Sequence, residues 1–252
     1  MSLKTDVVSK LEKVSISDFL KQKDLLYKGR REHKFLVPLH QVSDILDYLN
    51  DDFYCIVHDD GVFFSYRSAY FDSDDFSFFN MHRQGKYNRM KLRIREYKSG
   101  KKGMYIESKR KAKAARYTIK QRKKVESLEA CLDKKFIKES LLDFDLEKEN
   151  LKEKVHINYK RIFLVSKNGK RRITIDFDVQ ADDLNGKKAT LVPNFAIFEI
   201  KQEGLPKDIM RFLRRNYKIR RTGFSKYCIS VCMLFDDVRK NKWKQILKLN
   251  YL

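Results

Sequence analysis

Between Lys91 and Arg95 every second residue is cationic, and the residues between are Leu92 and Ile94. That period of two predicts a β-strand with one positive and one apolar face. The pattern recurs along the chain. Arg30, Glu32 and Lys34 share a parity, as do Glu107 with Lys109, Arg116 with Lys120 and Arg122, and Glu199 with Lys201. From Arg172 to Val179 the second face is wholly apolar, with Ile173, Ile175, Phe177 and Val179. One such strand predicts only a wetted outer side, because antiparallel sheets commonly expose one face. Repetition over several strands predicts a closed barrel with a lining of lysine, arginine and a few glutamates, and with helices over its apolar outside.

A helical period supplies those covers. Val42, Ile45, Leu46 and Leu49 predict an amphipathic helix over residues 40–50. Residues 126–147 carry apolar stripes through Leu128, Cys131, Leu132, Phe136, Ile137, Leu141 and Leu142, and Pro206 opens a helix over residues 207–217. One or two short helices are expected in residues 1–28, with Ser15 or Ser17 as caps, and a last helix over residues 236–252 through Trp243, Ile246 and Leu247. Turn chemistry marks hairpins at residues 98–103 and at Asn168-Gly169. An aromatic-rich strand over residues 63–71 ends at Asp72-Ser73-Asp74-Asp75. The expected fold class is α+β, in a single domain over residues 1–252.

Charge changes the picture next. The chain has 252 residues, with 56 Lys and Arg against 34 Asp and Glu, a formal net charge of +22. An acidic partner follows, whether nucleotide, polyphosphate, nucleic acid or an anionic surface. DNA or RNA is not expected, because the cations alternate within strands and no recognition motif is present. Cys55, Cys131, Cys228 and Cys232 form no CxxC pair and read as reduced, packed thiols. No apolar run reaches the roughly 18 residues of a membrane span and no signal core is present, so a cytoplasmic chain is expected. Any membrane association would go through a protein partner.

The chemistry available is that of phosphate. Arginine meets phosphate oxygens two at a time and lysine supplies a point charge, and phosphoryl transfer needs positioning and charge stabilisation without a protein nucleophile. A Walker loop is absent and the chain has only nine glycines, so side chains must grip the phosphates. His33, His40, His58, His82 and His156 are scattered and read as surface or packing residues. Glu199 among cations reads first as a counter-charge for Lys201 or an arginine, and alternatively as a hard oxygen ligand for a metal.

In ordered blocks this chain resembles the VTC domain, the polyphosphate-polymerase branch of the triphosphate tunnel metalloenzymes within the CYTH-like superfamily. The blocks are Arg-x-Glu-x-Lys-Phe at 30–35, Tyr-Phe-Asp at 70–72, Lys-x-Arg-x-Arg at 91–95, Glu-x-Lys at 107–109, Arg-Arg-Ile-Thr-Ile-Asp at 171–176, Phe-Glu-Ile-Lys at 198–201 and Gly-Phe-Ser-Lys-Tyr at 223–227. The resemblance implies an eight-stranded antiparallel β-barrel tunnel with helices outside, which holds ATP or another triphosphate, or a polyphosphate chain. It carries the phosphate-binding role to Lys34, Arg93, Arg95, Lys109, Arg161, Arg172 and Lys226. Lys91, Arg116, Lys120, Arg122 and Lys201 fall on further substrate-facing positions, and Glu199 with Glu32 on the ligands of a divalent metal, Mn2+ or Mg2+. The superfamily opens on Glu-x-Glu-x-Lys, whereas Arg30 here replaces the first glutamate. That departure favours a metal-dependent polyphosphate polymerase using ATP over a tunnel triphosphatase. A non-catalytic module that binds polyphosphate or inositol polyphosphate stands as the third expectation.

Overall fold

The computed structural model describes residues 8–15, 17–18, 31–59, 61–99, 102–111, 118–126, 134–141 and 151–251. Arg30, Arg116, most of the expected N-terminal helices and much of the stretch 126–147 lie outside the described residues.

Strand β1 is Lys13–Ser15, and β2, Arg31–Pro38, precedes helix α1, Val42–Leu49. Then come β3, Phe53–Val57, and β4, Phe64–Asp72, followed by α2, Ser77–Gln84. The strands β5, Arg89–Tyr97, β6, Gly103–Lys111, and β7, Thr118–Val125, form a meander that leads to α3, Lys134–Leu141. A long β8, Lys152–Ser166, pairs with β9, Arg172–Asp182, and a short β10, Lys188–Thr190, precedes β11, Phe195–Gln202. Helix α4, Lys207–Tyr217, strand β12, Arg221–Thr222, helix α5, Lys226–Leu234, and a five-residue α6, Lys244–Lys248, complete the chain. The tail after Phe235 thus holds short helical turns in place of one continuous helix.

The main path of the sheet runs β12-β2-β11-β9-β8-β4-β5-β6-β7, with β1 parallel to β3, β3 on β8 and β10 on β9. Every pair on the main path is antiparallel. The expected closed eight-stranded barrel is not what forms. Among the described residues β7 and β12 do not pair, and the sheet is an open strip. It is nevertheless strongly curled, because Lys109 on β6 reaches Glu32 on β2 at 2.8 Å, far away along the strip. The two-residue β12 offers almost no ladder for closure, so side-chain ion pairs take the place of backbone pairing at this seam.

The two faces obey the alternation. Outward residues of β2, β9 and β11, such as Phe35, Ile173, Ile175 and Phe198, bury against α1 and α4 through Ile45, Leu46, Ile209 and Leu213. Outward Met90, Leu92, Ile94 and Ile106 bury against Phe78 of α2 and Phe136 and Ile137 of α3. The register shifts opposite Tyr159, where Asp178 adopts a left-handed φ of 50°. That bulge tightens the curl and reverses the parity, so Val179 joins inward-facing Tyr159 instead of the expected partners Ile175 and Phe177. Helix α5 lies against the concave side, where Tyr227 and Cys228 pack with Tyr66, Tyr70 and Tyr159. No helix among the described residues is long and apolar enough to cross a membrane.

Candidate functional site

The concave face collects nearly all the cations that the alternation singled out. Four carboxylates organise them, each held by two cations. Glu107 accepts from Arg93 Nε and Nη2 at 2.9 and 2.7 Å and stands 3.7 Å from Arg122. Asp176 accepts from Arg161 Nε and Nη2 at 2.5 and 2.8 Å and also pairs with Lys226 from the first turn of α5. Glu199 pairs with Lys34 at 3.0 Å and with Lys201. Glu32 accepts from Lys109 at 2.8 Å and lies 3.5 Å from Lys120. With two cations for each carboxylate the face stays positive before Lys91, Arg95 and Arg172 are considered. Lys91 donates to Ser225 Oγ at 2.7 Å, Arg95 is buried beside Ser68 Oγ at 3.4 Å, and Arg172 stacks on Phe163.

Aromatic rings floor this charged surface. Arg95 and Arg161 both lie over Tyr66 and Tyr159, and Arg122 sits 3.6 Å from the centre of the Tyr105 ring. Cation–π contact holds guanidinium groups without neutralising them. Lys120 and Arg122 are about half exposed and mark a rim, whereas Arg161 and Lys226 are largely but not fully covered.

The electrostatics follow from crowding in a dry place. Burial pushes the Lys201 ammonium down to about 7 despite Glu199, and Arg172 adds to the drop. Lys109 falls to about 8 by burial against the pull of Glu32. Burial and Glu199 press Glu32 upward, yet Lys109, Lys201 and Lys34 win and hold it at about 2. Glu107 sits at about 2, since Arg93 and Arg95 outweigh its burial, and Asp176 and Glu199 are likewise held far below the usual carboxylate range. Burial opposes ionisation of Tyr70, but Arg93, Arg95 and Lys91 bring its hydroxyl to about 8.

Of the residues expected from sequence, Lys34, Lys91, Arg93, Arg95, Lys109, Lys120, Arg122, Arg161, Lys201, Lys226, Glu32 and Glu199 share this face. Arg172 borders it beside Lys201, and Arg116 lies outside the described residues. Sequence reasoning missed Asp176, although its parity with Arg172 and Thr174 was the available signal. It also missed Tyr159, a buried residue whose hydroxyl has no hydrogen-bond partner among the described residues. A third omission is structural: buried Asp72 accepts from Phe78 N, Phe79 N and the Tyr227 hydroxyl, which ties β4, α2 and α5 together beside the site.

The chain has the overall fold of a candidate adenylate cyclase from Bacillus halodurans, at 16% identity and a TM-score of 0.52, over 78% of this chain and 95% of that one. A candidate adenylyl cyclase from Hippeastrum with a dominant triphosphatase activity matches at 12% identity and a TM-score of 0.47, over 82% of this chain and 97% of its own. Comparison with curated proteins gives no match. The model of the VTC domain matches residues 29–235, nearly the whole of the curled sheet with α5, and this chain belongs to the VTC domain family.

Proposed function

We propose that the concave face binds a triphosphate or polyphosphate chain and transfers the γ-phosphoryl group of ATP to the end of a growing phosphate polymer. The observation that supports this reading is the doubled cations on each carboxylate. The carboxylates hold Arg93, Arg161, Lys34 and their neighbours in fixed positions, and the surplus charge is left for an anion. The four carboxylates are too acidic to activate water readily, because a general base works best near the operating pH. A terminal phosphate is already ionised and needs no such base, and the length of the product separates polymer growth from hydrolysis.

Arg93 and Arg95 on one strand and Arg161 on another grip oxygens of the transferring phosphoryl and stabilise charge as it redistributes. Lys34, Lys109 and Lys226 orient the rest of the chain, and Tyr159 has a hydroxyl ready to donate. No group of three or more His, Cys, Asp or Glu stands ready for a metal among the described residues. Glu32 and Glu199 lie on adjacent strands and feel each other's charge, a donor set that fits Mg2+ or Mn2+ in the mode that completes its shell with substrate phosphates. The cation would supply further charge neutralisation across the phosphoryl oxygens.

The test pairs ATP and Mg2+ or Mn2+ with gel detection of polyphosphate, in the parent and in Glu199→Gln. Long polymer from the parent supports the reading, whereas release of phosphate alone converts it to a triphosphatase. In Glu199→Gln turnover should fall at least about a hundredfold while metal-free triphosphate binding is kept, since a charge–charge repulsion has gone. Full activity with unchanged metal dependence would make Glu199 a counter-charge only.

A further inference from the structure

Helix α4 carries a second basic surface, on the outside of the curled sheet. Its apolar side is already used: Ile209 and Leu213 are buried against the outer face of β2, β9 and β11. At about 100° per residue, Lys207, Arg211, Arg214, Arg215 and Lys218 fall within an arc of about 100° on the opposite side. All five are exposed. The only acid between residues 207 and 221 is Asp208, at the edge of that arc, and it is engaged by Arg171. Among the described residues none of the five forms an ion pair.

The stripe also leads somewhere. Lys218 ends α4 in the left-handed conformation, with φ of 57°, and turns the chain back toward the sheet. Arg220 and Arg221 continue the exposed cations. Thr222 then stands opposite Lys34 in the β12–β2 register, and four residues later Lys226 reaches Asp176. One continuous segment therefore links the outer stripe to the inner site.

We infer that α4 and the turn after it form a track for a single phosphate chain too long for the concave face, outside the catalytic surface. The inference rests on the phosphate-chain reading of that surface. The shape of the stripe selects the occupant. It is one helix wide and about 16 Å long, from the rise of about 1.5 Å per residue, and suits a flexible single-file polyanion. The two phosphate rows of a duplex or the plane of a bilayer would meet charges spread over a broader area. The track also accounts for cations that the concave site leaves unused, and it gives long polymers an affinity that triphosphate cannot share.

The experiment compares the parent with Arg211→Glu/Arg214→Glu/Arg215→Glu, and with the milder Arg211→Gln/Arg214→Gln/Arg215→Gln, none of which touches the concave face. Binding of end-labelled long polyphosphate and of inorganic triphosphate is measured by fluorescence anisotropy across a salt series. Long-chain affinity should fall about tenfold or more in the glutamate variant, with a shallower salt dependence, and triphosphate affinity should stay within about twofold. Unchanged long-chain binding in both variants overturns the track while leaving the concave-site reading intact. A parent that binds neither ligand overturns both. Duplex RNA, or vesicles rich in phosphatidylserine, that bind the parent more tightly than polyphosphate at matched charge and are lost in the variants would reassign the stripe to that partner.

Discussion

At the scale of the residue, Tyr159 separates a binding role from a packing role. A buried hydroxyl without a partner costs folding free energy, and Tyr159 keeps one among Arg93, Arg95 and Arg161. Tyr159→Phe should hold or raise the melting temperature while triphosphate affinity drops about ten- to a hundredfold, as expected for one lost hydrogen bond to a charged group. Loss of stability with unaltered affinity, read by thermal melts and anisotropy, would place the hydroxyl in the core instead. Lys201 gives a proton signature. Burial leaves it at about 7, so near pH 8 the free protein holds much of it neutral, and a bound polyanion raises its affinity for a proton. Binding should therefore take up protons at pH 8 and weaken as pH rises from 7 toward 9. Calorimetry in buffers of different ionisation heat measures the uptake, and Lys201→Met should reduce it. A parent with no uptake would contradict the placement of Lys201 against substrate.

At the scale of the element, helix α5 rests on an anchor that no local pattern announces. The Tyr227 hydroxyl meets Asp72, which also serves the backbone of Phe78 and Phe79, and the Tyr227 ring stacks on Tyr70 at 5.1 Å. Tyr227→Phe keeps the stack and removes the hydrogen bond. A loss of about 1–3 kcal/mol in unfolding free energy is expected, together with weaker triphosphate binding, because the neighbouring Lys226 comes from the same turn. Wild-type stability in chemical denaturation would show the anchor to be idle. This element also shows what sequence could not reveal. In α5 seven of nine residues are buried, so it has no polar stripe and no helical period to read. Helix α2 was hidden because its first amides are met by Asp72, from outside the helix and several residues upstream. Strands with one wet and one dry face were legible for the opposite reason, since Leu92 and Ile94 against Arg93 and Arg95 need only alternation. The bulge at Asp178 breaks that alternation and carries Val179 to the concave face, and one left-handed residue leaves no mark in hydropathy. The doubling of cations on each carboxylate was not visible either, because it joins strands distant in sequence, such as β2 with β6.

At the scale of the whole molecule, binding and stability should respond to salt in opposite directions. A net charge of +22 destabilises the compact state by self-repulsion, and added salt screens that repulsion while it also screens attraction to phosphate. Raising sodium chloride from about 50 to about 300 mM, where the Debye length falls below about 10 Å, should lower triphosphate affinity severalfold and leave the melting temperature level or higher. A parallel fall in both would mean that the ion pairs of the concave face, and not its apolar outside, hold the fold. A ring can be entered by a polymer only through an end, like thread through a needle. The strip is instead a clasp, held near its lips by the side chain of Glu32 on β2 meeting Lys109 on β6 and Lys120 on β7, with no β7–β12 ladder among the described residues. A clasp admits its cord from the side, so under the proposed phosphate-chain reading a cyclic polyphosphate should bind as a linear chain of the same length does.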